Sequence, residues 1–455
     1  VLTQTLAGLC MFALARRMLP PGAALFAGAV YAANPYAQLV AYFRSDFAEL
    51  LAAAVFPLLI LFAEELGNAE DLRSAGKPIA FFSGVLAAVW LANAPAGVLA
   101  TYSMGLLFVA MSAVRRSWQP LLRGCGGVAL GFGLCALYLV PAAYEQRWVR
   151  IAEALSLGLR PAENFLYTAI NDPEHNLFNW VASTTAVGMI VLTGLAYLGG
   201  RTREENEDRG RLRRELILLA AASSLLMLRI TLPFWNLLPK LKYLQFPWRW
   251  MLPLAVPFAW FAADVFSRKR LRWIAATGAV VILIGTGWLF VARAWWDTED
   301  FPALRAAIAR GDGYEGTDEY DPMGDDRTDL PQHAPRTRLI LPSGAAAPAA
   351  AGQALVERWA PEEKLIRVEA RAPVKLALRL LDYPAWRIEV NRKPVQPTHP
   401  DGTKQMIVSL PAGESRVSVR FIRTFDRTAG LAVTVIAVGL LGLLRFFGQV
   451  GGRQS

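Results

Sequence analysis

The sequence predicts an α-helical multi-pass membrane protein with about 11 transmembrane helices and a small extracytoplasmic β-sandwich inserted before the last helix. Of the 455 residues, 54% are hydrophobic and only 18% are charged, and the mean hydropathy is +0.32. This composition excludes a disordered chain and does not suit an ordinary soluble protein. The apolar residues fall into blocks of about 17–22, each long enough to cross a bilayer core of about 30 Å.

Eleven apolar segments are predicted to span the membrane. They cover about 1–15, 21–37, 47–63, 79–92, 95–113, 124–143, 181–199, 215–231, 250–266, 273–292 and 428–446. The segments before and after Asn93 could instead form one long kinked helix. Pro95 is more consistent with two helices, because proline is tolerated in the first turn of a helix and not in its interior.

Basic residues are distributed unevenly between the loops. Every second loop is rich in arginine and lysine, as in the segment 201–214 and in the segment 268–272. The positive-inside rule places these loops in the cytoplasm, so that residue 1 is extracytoplasmic and the C-terminus is cytoplasmic. The net charge of +10 is then explained by topology, and nucleic acid is not expected as a partner.

A polar stretch of about 130 residues lies between the last two spans, on the outer side in this topology. The predicted domains are therefore a transmembrane region over 1–292, an acidic linker over 293–335, a β-sandwich over 336–425, and a final helix with its cytoplasmic tail over 426–455. The chain begins with Val1 and runs directly into an apolar span, from which we expect an N-terminal truncation.

The β-sandwich prediction depends on short segments in which apolar and polar residues alternate. These segments are 365–370, 374–381, 386–390, 406–410 and 417–421. The segment 386–390 ends at Asn391, which is predicted to form a hairpin turn. The last two segments flank Pro411-Ala-Gly413 and are predicted to form a second hairpin.

Arg44, Asp46 and Glu49 lie close together in an outer loop. If Asp46 begins a helix, Asp46 and Glu49 share one face of it. An arginine beside two carboxylates at the water–lipid boundary suits phosphate binding and general-base chemistry, so both acids are candidate catalytic residues. The alternative is structural, because acidic residues are also favoured in the first turn of a helix by the helix dipole.

A second outer loop combines cations with aromatic residues. Lys240, Lys242, Gln245 and Arg249 are the candidates there for binding a lipid phosphate, with Arg249 as a fork-shaped ligand. An aromatic belt with basic side chains that reach the interface is the alternative.

The acidic linker contains a further candidate site at Asp318 and Glu319. Clustered carboxylates are ligands for a divalent cation such as Mg²⁺ or Mn²⁺, although the spacing does not match an EF-hand loop. A solvated acidic loop is the simpler interpretation.

Several short motifs, taken in their order along the chain, resemble one bacterial membrane-protein family. They are Asn34-Pro-Tyr36, Arg44-Ser-Asp-Phe-Ala-Glu49, Leu139-Val-Pro-Ala-Ala-Tyr-Glu145, Gln245-Phe-Pro-Trp-Arg249, Thr317-Asp-Glu-Tyr320 and Tyr383-Pro-Ala-Trp386. The family is labelled as carrying a 6-pyruvoyl-tetrahydropterin synthase-related domain and is close to the YfhO-like proteins. The resemblance covers nearly the whole chain, and the label implies no pterin chemistry.

This resemblance implies an integral membrane glycosyltransferase of the GT-C class, located in the bacterial plasma (inner) membrane. Such enzymes take a sugar from a polyprenyl-phosphate donor at the outer face, usually with a carboxylate of the first outer loop as base. That loop has no counterpart in this sequence. Asp46 and Glu49 match a later outer-loop motif instead, so whether the chain is an enzyme stays open.

The resemblance therefore predicts a glycosyltransferase-like protein for cell-envelope polysaccharide or protein glycosylation. Its expected partners are membrane lipids, a polyprenyl-phosphate sugar donor, and a glycan or protein acceptor that the β-sandwich would bind. One alternative is a transporter or flippase of lipid-linked glycans, but ion-coupled transporters carry ionisable residues deep within their spans, and these spans have few. The other alternative is a non-catalytic membrane scaffold.

Overall fold

The computed structural model describes residues 1–200, 207–293, 300–310, 318–324, 330 and 334–450. The chain divides into two compact units. The first, here called the helical unit, comprises Val1–Leu139, Leu155–Trp295 and Leu431–Ser455, and the second, here called the β-unit, comprises Val140–Ala154 and Trp296–Gly430.

Fifteen α-helices are formed by the described residues. They are α1 (Leu2–Ala15), α2 (Pro21–Ala32), α3 (Pro35–Leu39), α4 (Phe47–Asn68), α5 (Leu72–Ala92), α6 (Ala94–Arg115), α7 (Gln119–Leu134), α8 (Ala136–Glu145), α9 (Pro173–Gly199), α10 (Glu207–Leu226), α11 (Leu232–Leu237), α12 (Met251–Phe266), α13 (Arg272–Arg293), α14 (Asp300–Arg310) and α15 (Phe425–Val450).

Six of the described helices are long and apolar enough to cross a membrane, and the number is eight if each of two bent helix pairs forms one span. They indicate a membrane-embedded protein. The predicted count of eleven spans is not confirmed. Helices α1, α2 and α12 have 14, 12 and 16 residues, which corresponds to roughly 18–24 Å and is shorter than a bilayer core. The predicted spans at 124–143 and 215–231 fall in the bent pairs, whose bends are 78° and 88°.

The apolar stretch around Asn93 forms two helices and not one kinked helix. This is the alternative that the position of Pro95 favoured. Helix α5 ends at Ala92 and α6 begins at Ala94. The side chain of Asn93 accepts a hydrogen bond from the backbone N–H of Ala96 at 2.9 Å. This N-cap satisfies a donor that the start of a helix otherwise leaves unpaired.

Helix α12 lies at the centre of the helical unit, and nearly all of its residues are buried. Helices α1 and α2 pack closely through two glycines, because a Cβ atom on Gly28 would lie 2.7 Å from the carbonyl oxygen of Gly8. Helices α13 and α15 are much less buried than α12: only 6% of the apolar stretch of α13 and 17% of that of α15 is buried in the protein. These two helices therefore expose broad apolar surfaces of the kind that face lipid.

Several loops that were predicted to be cytoplasmic meet at one end of α4. Arg17 forms an ion pair with Glu65. Arg115 and Arg211 both donate hydrogen bonds to the side-chain oxygen of Asn68. The basic loops that the charge rule placed together are thus close to one another in the structure, at the end of α4 opposite Glu49.

The β-unit contains two antiparallel sheets. Strands β1 (Thr337–Ile340), β4 (Val374–Leu381) and β7 (Gln405–Leu410) form one sheet, in the order β1-β4-β7. Strands β2 (Gly352–Ala360), β3 (Glu363–Ala370), β5 (Trp386–Val390), β6 (Lys393–Val395) and β8 (Gly413–Phe421) form the other, in the order β2-β3-β8-β5-β6. Apolar residues of both sheets, such as Ile366, Val408 and Val419, form one core.

One of the two predicted hairpins is confirmed, and the other is wrong. Strands β5 and β6 form a hairpin in which Asn391 and Arg392 both have positive φ, at 50° and 67°, the conformation of a type I′ turn. The turn before Gly413 does not join paired strands. Strand β7 pairs with β4 and β8 pairs with β3 and β5, because this turn carries the chain from one sheet to the other.

The predicted acidic linker contributes ordered structure to the β-unit. Part of it forms α14, and a later part pairs with the chain before α9. The backbone N–H of Arg150 donates to the carbonyl oxygen of Asp321 at 3.0 Å, and that of Met323 donates to the carbonyl oxygen of Trp148 at 2.8 Å. The segments 148–150 and 321–323 therefore form one short antiparallel pair.

Candidate functional site

A tight connection between α3 and α4 brings together the first group of predicted site residues. Helix α3 ends in a turn of π-helix over Val40–Arg44, and Ser45 then reverses the chain with a φ of 51°. Asp46 is the N-cap of α4, and its side chain accepts a hydrogen bond from the N–H of Glu49 at 2.9 Å. Asp46 therefore begins the helix and has a structural role there, as the alternative interpretation of this acid suggested.

Glu49 lies at the centre of a buried polar cluster, although it belongs to a predominantly apolar helix. Only 1% of the surface of Glu49 is exposed to solvent. One carboxylate oxygen accepts a hydrogen bond from the hydroxyl of Tyr36. The other is 2.6 Å from Nη1 of Arg44 and 3.4 Å from Nε of Arg249. One carboxylate thus pairs with two guanidinium groups that are about 200 residues apart in the sequence.

The aromatic loop that precedes α12 holds the second arginine. Two short 3₁₀-helices, Leu241–Leu244 and Pro247–Trp250, bury Arg249, whose Nη1 donates to the carbonyl oxygen of Leu244 at 2.8 Å. The rings of Phe246 and Trp248 are stacked with their centroids 5.0 Å apart. Arg44 lies over the ring of Trp248 at 5.1 Å, and Arg249 lies over that of Phe246 at 5.2 Å. These cation–π contacts fix both guanidinium groups in place.

Arg44, Asp46, Glu49 and Arg249 are here called the Glu49 cluster. Asp46 completes it through an ion pair with Arg44 at 3.2 Å, so two positive charges meet two negative ones. Burial lowers the pKa of Arg249, and the charge of Glu49 opposes this effect. Burial also disfavours the charged form of Arg44, but the attraction of Glu49 prevails and its pKa is raised. Both arginines keep their charge at any physiological pH.

The two carboxylates of the cluster differ in accessibility. The side chain of Asp46 is 21% exposed, whereas that of Glu49 is 1% exposed. Glu49, Tyr36 and Asn34 line a small cavity of about 20 Å³, which has room for about one water molecule. The carboxylate of Asp46 is therefore more accessible to solvent than that of Glu49.

The other predicted residues of the aromatic loop lie at its surface. Lys240 and Lys242 are exposed, and their ammonium groups lie 5.1 and 5.3 Å from the ring centre of Tyr243. Gln245 is partly buried and has a φ of 64°. The structure thus brings Arg249 into the Glu49 cluster and leaves the two lysines as a cationic surface on the same loop.

The predicted pair Asp318 and Glu319 lies in the β-unit. Both belong to a short 3₁₀-helix, Asp318–Tyr320, and the side chain of Asp318 lies outside the described residues. Within the described part of the chain, there is no group of three or more His, Cys, Asp or Glu side chains that could hold a metal ion. The carboxylates of Asp46 and Glu49 are paired with arginines, an arrangement that does not favour a divalent cation. A divalent cation at Asp318 and Glu319 therefore stays a prediction.

Two features of the helical unit were not among the predicted site residues. Tyr36 donates a hydrogen bond to Glu49, and its only signal in the sequence was its place in the Asn34-Pro-Tyr36 motif. At the other end of α12, the fully buried Asp264 accepts a hydrogen bond from Nη1 of Arg213 at 2.6 Å and another from Arg209. In the sequence, an aspartate within an apolar segment was the signal that could have revealed this second buried ion-paired group.

Comparisons of this chain with protein-family models, with curated proteins and with solved structures found no match.

Proposed function

We propose that this chain is a GT-C-like glycosyltransferase of the bacterial plasma membrane that uses a polyprenyl-phosphate sugar, as the resemblance to the YfhO-like proteins implies. One observation carries the proposal: two arginines pair with Glu49 at one end of a bundle of apolar helices, and the loop that holds Arg249 also carries two exposed lysines. A polyprenyl carrier is too apolar to leave the bilayer, so its phosphate has to be bound at such an end. In the proposed orientation, this end faces out of the cytoplasm.

The residues of the Glu49 cluster and of the aromatic loop have distinct parts in the proposed site. Lys240 and Lys242 bind the lipid phosphate, because they combine positive charge with exposed surface. Arg44 adds a third cation, whose side chain is 13% exposed. Gln245 lies between the lysines and Arg249 in the sequence and adds an amide donor. Arg249 acts mainly as a positioning residue, since it is buried against the same carboxylate that holds Arg44.

Asp46 is the carboxylate best placed to act as the general base. In the proposed step, it accepts the proton of an acceptor hydroxyl while the acceptor oxygen forms a bond to the anomeric carbon of the sugar. The bond between that carbon and the phosphate oxygen breaks, and the phosphate leaves with the electron pair. Arg44 and the two lysines stabilise the charge that develops on the phosphate. The acceptor is a cell-envelope glycan or a protein.

The two lysines provide a test that leaves the buried cluster intact. We expect the double variant Lys240→Ala, Lys242→Ala to bind a polyprenyl-phosphate sugar in proteoliposomes about 30-fold more weakly, because each cation near a lipid surface contributes about 1 kcal/mol. The matched control removes Lys269 and Arg270, two exposed cations just beyond the other end of α12.

The comparison of the two double variants decides the proposal. If both double variants bind the polyprenyl-phosphate sugar equally well, with unchanged thermal unfolding, the proposed lipid-phosphate site is refuted. Transfer of the sugar to an acceptor supports the glycosyltransferase. Movement of the lipid-linked sugar across the bilayer without any transfer would instead support a flippase.

A further inference from the structure

An open cavity of about 580 Å³ lies within the β-unit. Its walls come from three parts of the chain. One wall contains Arg147 and Trp148 together with Pro322 and Met323, and another is the connection between β4 and β5 around Tyr383. The third wall consists of residues 394–397, at the end of β6 and just after it, and Lys404 completes the lining. Its volume is within the range of small-molecule binding sites, which is about 300–1,000 Å³.

Hydrogen bonds hold these walls in place. The pairing of segment 148–150 with segment 321–323 fixes the first wall. The hydroxyl of Tyr383 donates to the carbonyl oxygen of Tyr320, which ties the second wall to the first. The N–H of Asp382 donates to the carbonyl oxygen of Lys404 at 2.9 Å. The cavity is therefore formed before any ligand binds.

The lining combines aromatic rings with planar or charged polar groups. Trp148 and Tyr383 are both partly exposed in it, and Trp386 forms part of its wall. Aromatic faces pack against the C–H groups on the faces of a sugar ring, and their negative π surfaces favour those slightly positive hydrogens. Arg147 and Gln396 supply polar groups for sugar hydroxyls.

Charge narrows the choice of ligand. Three basic side chains line the cavity, namely Arg147, Arg387 and Lys404, and Asp382 is the one carboxylate among its described lining residues. That carboxylate lies 2.9 Å from Nε2 of His399, and Arg387 is paired with Glu389 at 3.1 Å. Arg147 and Lys404 therefore carry the excess of positive charge in the lining. An anionic ligand is therefore favoured over a neutral or cationic one.

From the aromatic faces and the excess of basic groups in this cavity, we infer that the β-unit binds an acidic saccharide, one that carries carboxylate or phosphate groups. The inference deepens the proposed function and rests on it in one respect, namely that the bound saccharide is the acceptor. Binding of the saccharide by the cavity can be measured without any transfer reaction.

The test uses the full chain in lipid nanodiscs and isothermal titration calorimetry. The probe is hexagalacturonate, and maltohexaose is the neutral saccharide of equal length. We expect hexagalacturonate to bind at least about tenfold more tightly than maltohexaose. Trp148→Ala and Lys404→Met should each weaken the binding of hexagalacturonate by about tenfold or more.

Matched controls come from residues that do not line the cavity. Trp118 is an exposed tryptophan of the helical unit and Lys375 is a partly exposed lysine of β4, so Trp118→Ala and Lys375→Met should leave binding unchanged. Lys404→Met keeps the inference testable if the tryptophan variant does not fold.

Three results would overturn the inference: no binding of hexagalacturonate, equal binding of both saccharides, or folded cavity variants that bind as the unmodified chain does. Failure of the inference can be distinguished from failure of the proposed function. Sugar transfer without binding of the saccharide in the cavity refutes only the assignment of the cavity as a saccharide site. Cavity binding without any affinity for lipid phosphate refutes only the glycosyltransferase.

Discussion

Replacing Glu49 by glutamine tests the central feature of the candidate site. The substitution keeps the size of the side chain and removes its charge. Arg44 then retains Asp46 at 3.2 Å as a partner. Arg249 is 6% exposed and loses the carboxylate 3.4 Å from its Nε atom, and no other ion pair of Arg249 is found among the described residues. One buried guanidinium group is therefore left without a counter-ion.

The expected loss of stability follows from that single uncompensated charge. Removing one partner of a buried ion pair destabilises a protein by about 3–5 kcal/mol, because the remaining charge is neither solvated nor paired. For a unit of this size, such a change lowers the unfolding temperature by roughly 6–10 °C. The partial exposure of Arg44 and its second partner place the expected value at the lower end of both ranges.

Thermal unfolding of the full chain in detergent or nanodiscs measures the effect. Glu65→Gln is the matched control, because Glu65 lies on the same helix and pairs with Arg17 at the surface, with side chains that are 30% and 57% exposed. An exposed pair contributes about 0–1 kcal/mol, so this variant should unfold within about 2 °C of the unmodified chain.

A double variant separates the charge effect from a packing effect. Combining Glu49→Gln with Arg249→Met removes the unpaired charge and should recover part of the lost stability. If Glu49→Gln is no more destabilising than Glu65→Gln, the reasoning about the cluster is wrong. If the double variant is less stable than Glu49→Gln alone, the loss does not arise from the unpaired charge of Arg249.

Two further outcomes are expected. Asp46→Asn should lower the rate of sugar transfer by about 10²–10⁴-fold. Binding of the lipid phosphate and thermal unfolding should change little, because asparagine preserves the N-cap of α4. A transfer rate within a few-fold of the original would exclude Asp46 as the base. Gly28→Ala should destabilise the helical unit by about 1–3 kcal/mol in thermal unfolding, since the added Cβ would lie 2.7 Å from the carbonyl oxygen of Gly8. Gly22→Ala, in the same helix and with nothing within 4 Å, is the control, and equal stability of the two variants would contradict the close packing of α1 and α2.

Local signals in the sequence predicted local features correctly. Asn93 was expected to separate two helices and Asn391 to form a hairpin turn, and the structure has both. Each depends on the hydrogen bonding or backbone preference of one or two residues. Such preferences act over a few residues, so a single sequence displays them.

The failures concern features that depend on distant parts of the chain. Strand β8 was expected to pair with β7, yet it pairs with β3 and β5 in the other sheet. The alternation of apolar residues was the same for either pairing, because it reports which face of a strand is buried and not which strand lies beside it. The predicted span at α12 is not confirmed: this helix has 16 residues and is buried at the centre of the helical unit.

The sequence by itself determined that this is a helix-rich chain with membrane-length apolar segments and a separate β-domain, because hydropathy and its period are properties of consecutive residues. It also marked Arg44, Asp46, Glu49 and Arg249 as unusual for their surroundings. Only the tertiary structure decided that one buried carboxylate holds both arginines while Asp46 stays accessible. The physical reason is that burial and ion pairing arise where α4 meets the loop before α12, a contact across about 200 residues that no local pattern encodes.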